Sequence, residues 1–365
     1  MYIGQGVIYE VGSPIAKLGF FIYSMCSIFL ISRGVLVGFI KIPIYKYLLL
    51  FLLLNLLYFI INPNGITLIY VDHFRTIYFN LSTFFIFFYL SAKNKILFHN
   101  MILYFFILLL IAIPNYFVYA KEIGLDFNNQ NNAIYGIVML LPFLFLIKNK
   151  LISFSLLFFL ILFIILSFKR GAIITSFLIA IIFFIFKIKE TSYKLSNLNK
   201  LFSKFITIIV AIFVLYYCID FLLRDEIVFE RFKDVENDGG SSRDIIFINI
   251  LTESFQFTKI LNLIFGFGFV GSMYFAFGGT AHNDLLEVFS NFGFFGITFF
   301  VGIWYSLWKI IRKSKLSQRD NYIVITILLV WIVDSQYQQV YNSINSFGLM
   351  MMLGYILGKN KELIN

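Results

Sequence analysis

"RGAIITSFLIAIIFFIFKIKE", residues 170–190, opens on a cation, runs without a charge to Phe186, and closes on Lys187, Lys189 and Glu190. An apolar run of about 17 residues or more is what a helix needs to cross a hydrocarbon core about 30 Å thick, so this stretch reads as a membrane span. Comparable runs recur along the chain, near 16–31, 44–61, 75–91, 97–119, 133–147, 151–168, 170–187, 204–223, 284–308, 321–334 and 346–358. The expected fold is therefore an all-α polytopic membrane protein with about 11 transmembrane helices, within a range of 10–12. Composition agrees: 60% of the 365 residues are hydrophobic and 13% charged, against about 25% charged in soluble domains. Uninterrupted runs of this length exclude an outer-membrane barrel, whose strands alternate over about ten residues.

Charge sorts the connections into two classes. The breaks at 32–46, 91–96, 148–150, 187–204 and 309–320, with the Lys359/Lys361 tail, hold 19 of the 29 basic residues and only three of the 19 acids, Glu190, Asp320 and Glu362. By the positive-inside rule these are cytoplasmic, which places the N-terminus outside and the C-terminus inside. The net charge of +10 is then a topology signal, and no nucleic-acid partner is expected. The first 35 residues lack the pattern of a cleaved signal peptide. Cys26 and Cys218 both fall in apolar segments, where thiols act as small packing residues, and neither cysteines nor histidines cluster into a metal site.

Against this background Arg75, Arg170, Arg224, Arg231 and Arg243 stand out, because all five fall on the outer side. Each alone could be a snorkelling anchor or the partner of a nearby acid. Together they suggest recognition of an anionic head group, since the guanidinium fork matches phosphate bidentately. Arg75 has His73 beside it, and Arg243 falls in the first turn of an expected helix, where the helix dipole disfavours a cation.

One connection is long. Residues 224–283 form an outer segment of about 60 residues, dividing the chain into an N-terminal bundle (1–223), this loop, and C-terminal helices (284–365). Within it Asp238-Gly239-Gly240 reads as a break, Ser241 with Asp244 as a helix start, and Ile245, Ile246, Ile248 and Ile250 as a face that could lie on the bundle. Gly266, Gly268 and Gly271 match G-x-G-x-x-G, but no strand-helix-strand unit supports a dinucleotide site. They read instead as a turn where backbone passes close to another element.

The loop ends in "TAHNDLLEVFSNFGFFG", residues 280–296. Asn283 can cap the following helix, and Asp284 with Glu287 has capping-box spacing. Neither role explains His282, one of only three histidines beside His73 and His99. An imidazole with an ordinary pKa near 6.5 can accept a proton at neutral pH, which makes His282 the candidate base.

The order of "SFKRGAIITS", "RF", "SSRD", "IFGFGFVGS" and "AHNDLLEVFSNFGFFG" resembles the O-antigen polymerase (Wzy) and O-antigen ligase (WaaL) superfamily over roughly residues 165–300. The most specific part is met by His282, Asn283, Leu286, Gly293 and Gly296. Ser241-Ser242-Arg243 and Lys169-Arg170-Gly171 depart from the family's usual Ser-Gly-Arg and Ser-Arg-Gly but keep the arginine. The resemblance implies a GT-C-type glycosyltransferase of the bacterial inner membrane. It would use undecaprenyl-pyrophosphate-linked oligosaccharide on the periplasmic side, with membrane lipids and a chain-length regulator protein as partners and no metal or cofactor. Carried over, His282 is the catalytic base and Arg170 and Arg243 the pyrophosphate contacts, with Arg75 and Arg231 assigned by position and Asn283, Asp284 and Glu287 as supporting or capping residues.

Polymerase is the favoured activity. A ligase, which transfers the glycan to lipid A core, and a non-enzymatic flippase or exporter are the alternatives. A transporter would carry ionisable groups at mid-membrane depth. Here Asp220 and Asp334 lie near span ends, and charge gathers at the surfaces.

Overall fold

The computed structural model describes residues 13–62, 67–123, 133–167, 169–192, 205, 216, 243–256, 260–275 and 280–364. All regular structure among them is helical: α1 (Pro14–Leu36), α2 (Pro43–Ile60), α3 (Leu68–Ala92), α4 (Phe98–Ile123), α5 (Ile134–Val138), α6 (Lys150–Ile165), α7 (Arg170–Ser192), α8 (Arg243–Ser254), α9 (Ile260–Phe265), α10 (Asp284–Lys313), α11 (Gln318–Asp334) and α12 (Phe347–Lys359), with short 3-10 turns between some of them. Five helical segments are long and apolar enough to cross a membrane: Pro14–Leu36, Pro43–Ile60, Phe98–Val118, Arg170–Glu190 and Asp284–Lys313.

Local chemistry starts these helices. Ser13, Thr67, Asn149 and Ser317 each accept a backbone N–H from the first turn of α1, α3, α6 and α11, and proline occupies the first position of α1 and α2. The expected span at 133–147 is corrected: it is two pieces, α5 and a 3-10 turn at Leu141–Leu146 containing Pro142. A proline has no amide to continue the α ladder, so the run changes character there.

The interior is packed with large rings. Tyr45, Phe51, Phe84, Phe85, Phe88, Trp331 and Tyr341 are all fully buried. Helix α12 is enclosed along nearly its whole length and lies so close to α3 that a Cβ on Gly354 or Gly358 would come within 2.4 Å of Phe84 O or 2.3 Å of Phe88 O. Such close approach through small residues is how helices associate where the surroundings are as apolar as their side chains. Outward faces are apolar too, including Leu18, Phe21, Met25 and Phe29 on α1 and Leu110 on α4. On helices of membrane-crossing length these are lipid-facing surfaces. Cys26 is exposed on this outer face of α1, so it does not pack inside as expected, and Cys218 lies outside the described residues.

The bundle has two chemically distinct ends. At one, Lys187 pairs with Glu190 at 3.2 Å and donates to Ile147 O, Arg319 pairs with Glu190 at 2.7 Å, Lys359 with Asp320 at 3.3 Å, and Lys361 donates to Ala92 O. The connections that share high basic content in the sequence therefore meet in space. The starts of α3, α7 and α10 and the loop after α11 gather at the opposite, amide-rich end.

Candidate functional site

The site at the amide-rich end is built on a broken helix. Gly293, inside α10, has φ 62° and ψ −158°, so the helix stops and restarts there. The break frees carbonyls upstream, and the glycine loop fills them: Phe267 N–H donates to Ser290 O at 2.7 Å and Gly268 N–H to Asn291 O at 3.2 Å. The fit leaves no room for side chains. A Cβ on Gly266 would lie 2.3 Å from the Asn291 carbonyl carbon, and one on Gly293 would lie 2.5 Å from that of Ile264. Gly266 at φ 79° also needs the left-handed region that glycine enters without strain. The G-x-G-x-x-G stretch and the Gly293 break are two halves of one backbone contact, the close approach expected from the sequence.

Three polar residues at the start of α10 divide the work differently from what their spacing suggests. Asn283 is the cap, its Oδ1 accepting Leu286 N–H at 3.1 Å. Asp284 and Glu287 are not a capping box, which is a correction. Asp284, fully buried, accepts Val340 N–H at 2.8 Å through Oδ1, and its own N–H donates to Ser335 O. Glu287, also buried, accepts Ser272 Oγ–H at 2.5 Å and Ala281 N–H at 2.9 Å. Both carboxylates face inward and tie loops to the helix, because a buried acid has to be matched by donors from its surroundings.

His282 sits between these anchors. Ala281 is buried and held by Glu287, Asp284 is buried and held by Ser335, and His282 between them is exposed with φ 50°. Among the described residues only Asn94 and Val270 share a positive φ without being glycine. Left-handed backbone at a non-glycine residue costs about 1–2 kcal/mol and persists only where neighbours over-determine it.

The connection at 335–346, "SQYQQVYNSINS", gives no span signal, and sequence reasoning missed its role. In the structure it joins the polar end together. Asn80 of α3 donates to Val340 O at 2.9 Å and Tyr341 O at 3.1 Å. His73 Nδ1 lies 3.0 Å from Asn342 Nδ2, Thr175 of α7 donates to Asp334, and Asn291 Nδ2 contacts the Tyr341 hydroxyl at 3.5 Å. Asp334 Oδ2, Gln338 Nε2 and Asn342 Oδ1 are buried here with no hydrogen-bond partner among the described residues. The available signal was a run of amide side chains, Gln336, Gln338, Gln339, Asn342 and Asn345, close together in an otherwise apolar region.

The arginines separate. Arg170 is half-buried at the start of α7, and the adjacent Gly171 backbone packs so tightly that a Cβ would meet the Tyr135 hydroxyl at 2.5 Å and Tyr337 Cβ at 3.0 Å. Tyr337 belongs to the same loop that holds Asp284, so Arg170 and His282 share one end of the bundle. Arg75 shares it too, but forms an ion pair with Asp72 at 2.9 Å, a structural role that its sequence position allowed. Arg243 is the first residue of α8, whose Ile250 and Ile246 pack with Phe289 and Leu286 of α10, while Ile245 and Ile248 stay exposed. Arg224, Arg231 and the Asp238–Ser241 break lie outside the described residues.

Burial lowers the pKa of His73 from its ordinary value, opposed by the nearby Asp72. His99 is the second residue of α4 at the basic end, where the first, Phe98, lies under Arg319, and so is remote from the polar end. No family model matches this chain, and neither a curated protein nor a solved structure does.

Proposed function

We propose that this chain is a metal-independent, inverting glycosyltransferase of GT-C type with about 11 membrane spans, within a range of 10–12. In this reading it polymerises a lipid-linked glycan at the periplasmic face of a bacterial inner membrane. The observation that carries the reading is the strained, exposed His282, fixed on both sides by buried anchors at the end of the bundle that also holds Arg170.

The donor, an undecaprenyl-pyrophosphate-linked oligosaccharide, brings its own leaving group. The acceptor hydroxyl oxygen attacks the anomeric carbon, the bond from that carbon to the phosphate oxygen breaks, and the hydroxyl proton passes to the His282 imidazole. Arg170 and Arg243 stabilise the departing pyrophosphate, with Arg231 in a lesser role. The Asp72 ion pair makes Arg75 the weakest member of the set. Attack opposite the leaving group inverts the anomeric centre, and most of the rate enhancement comes from alignment and fixed charge.

Incubation of the purified protein with lipid-linked repeat units alone distinguishes the activities. A polymerase makes a ladder without lipid A core, a ligase makes product only when that acceptor is present, and a flippase makes neither.

A further inference from the structure

The basic end of the bundle carries a cavity remote from His282. Its volume is about 460 Å³, within the roughly 300–1,000 Å³ common for ligand sites, and it is lined by Phe98, Phe186 and Tyr355 together with Lys148, Arg319 and Lys359. Two carboxylates border it, and both are already engaged. Glu190 takes Arg319 at 2.7 Å and Lys187 at 3.2 Å, and Asp320 takes Lys359 at 3.3 Å and Asn360 Nδ2 at 3.0 Å.

Three cations, Lys148, Arg319 and Lys359, thus line the cavity against two acids and leave an excess of one positive charge, while the buried Lys187 also pairs with Glu190. Lys148 has no carboxylate within ion-pair range among the described residues, and its ammonium rests over the Phe98 ring at 5.5 Å. Arg319 gives Nη2 to Glu190, while its Nε is buried without a hydrogen-bond partner among the described residues. Ser317 and Gln318 at the start of α11 also line the cavity, which turns the positive end of a 17-residue helix toward it.

We infer that this cavity binds a phosphate group carried on a body large enough to lie against its aromatic walls. Surplus positive charge, a guanidinium with a donor to spare and a helix N-terminus suit an oxyanion with several acceptor oxygens. The aromatic walls at the boundary of an apolar bundle suit the body of an amphiphile, such as the headgroup region of an anionic phospholipid. The proposal stands whether or not the opposite end transfers sugars.

The test measures ligand retention by native mass spectrometry and thermal unfolding of the purified full chain in detergent. The added probes are phosphatidylglycerol, inorganic phosphate, and dioleoylglycerol as a phosphate-free lipid. The expected result is that phosphatidylglycerol binds and stabilises the wild type, that Lys148→Glu weakens it at least tenfold, and that Lys313→Gln, which lies off the cavity, does not. Lys148 is exposed and pairs with no acid among the described residues, so Lys148→Glu is expected to fold, which its melting temperature without added lipid checks. Stabilisation by phosphatidylglycerol and not by inorganic phosphate supports the proposal, whereas equal protection by inorganic phosphate at comparable concentration would show that the aromatic walls hold no body and would overturn it. Equal binding of dioleoylglycerol, or wild-type affinity in Lys148→Glu, would overturn the proposal.

Discussion

Glu287 Oε2 accepts a hydrogen bond from the backbone N–H of Ala281 at 2.9 Å, so the first turn of α10 holds the residue immediately before His282. The other carboxylate oxygen accepts from Ser272 and fixes the turn that follows the glycine loop. One buried side chain thereby sets the approach of the chain to His282 from two directions.

Replacing Glu287 with Ala removes both bonds and leaves a buried amide and hydroxyl unmatched. The expected cost is about 2–5 kcal/mol, at about 1–3 kcal/mol for each unsatisfied group with partial relaxation. Polymer formation should fall at least tenfold even at temperatures where the variant remains folded. Thermal unfolding in detergent and a ladder assay on the same preparation check both parts.

The glycine loop and the helix break should fail together. Gly266→Ala and Gly293→Ala each drive a Cβ into backbone at 2.3–2.5 Å, in residues already at positive φ. Each should destabilise by about 2–5 kcal/mol, combining overpacking with backbone strain. Gly38, at φ 90° with open space for 4 Å around the place a Cβ would take, provides the control. Gly38→Ala should cost only about 1–2 kcal/mol, the left-handed penalty alone. Equal melting temperatures for the three variants would contradict the interlocking contact.

Strain at His282 has its own signature. With φ at 50°, glycine relieves a cost that alanine keeps, so His282→Gly should be about 1 kcal/mol more stable than His282→Ala, after allowance for the greater freedom of glycine in the unfolded chain. Neither should polymerise. Unfolding of the two variants side by side measures the difference.

The fold was legible where a long apolar run or a cluster of lysines decided the outcome. The stretch at 170–190 is helical as expected, and the lysines near 187 and 359 meet at one end with Arg319. The region at 133–147 misleads because hydropathy responds to its apolar side chains and not to the backbone change around Pro142. The site was half legible. His282, Asn283 and the glycines carried recognisable signals, but the inward turn of Asp284 and Glu287 depends on donors at 272, 281 and 340 that only folding brings near. Asn80, which clasps the 340–341 backbone, sits inside an apolar span with no pattern to mark it.

The lowered pKa of His73 gives a pH test. In the unfolded chain this imidazole protonates near pH 6.5, whereas in the folded protein it stays neutral to lower pH. Below about pH 6.5 the unfolded state therefore binds more protons, and the protein loses stability as pH falls through the interval down to the folded-state pKa. Well above about pH 6.5 both states are neutral and the effect vanishes. His73→Gln should show a flatter stability profile between about pH 7 and 5 than the wild type, with melting temperature measured at each pH. Parallel profiles would show that burial does not hold His73 neutral.

The most direct measurement compares wild type and His282→Ala for ladder formation from lipid-linked repeat units, with melting temperature recorded on the same samples. A general base at His282 predicts a loss of at least about a hundredfold, the usual contribution of such a group, at a melting temperature within a few degrees of wild type. A folded His282→Ala that extends the ladder at near wild-type rate would contradict that role.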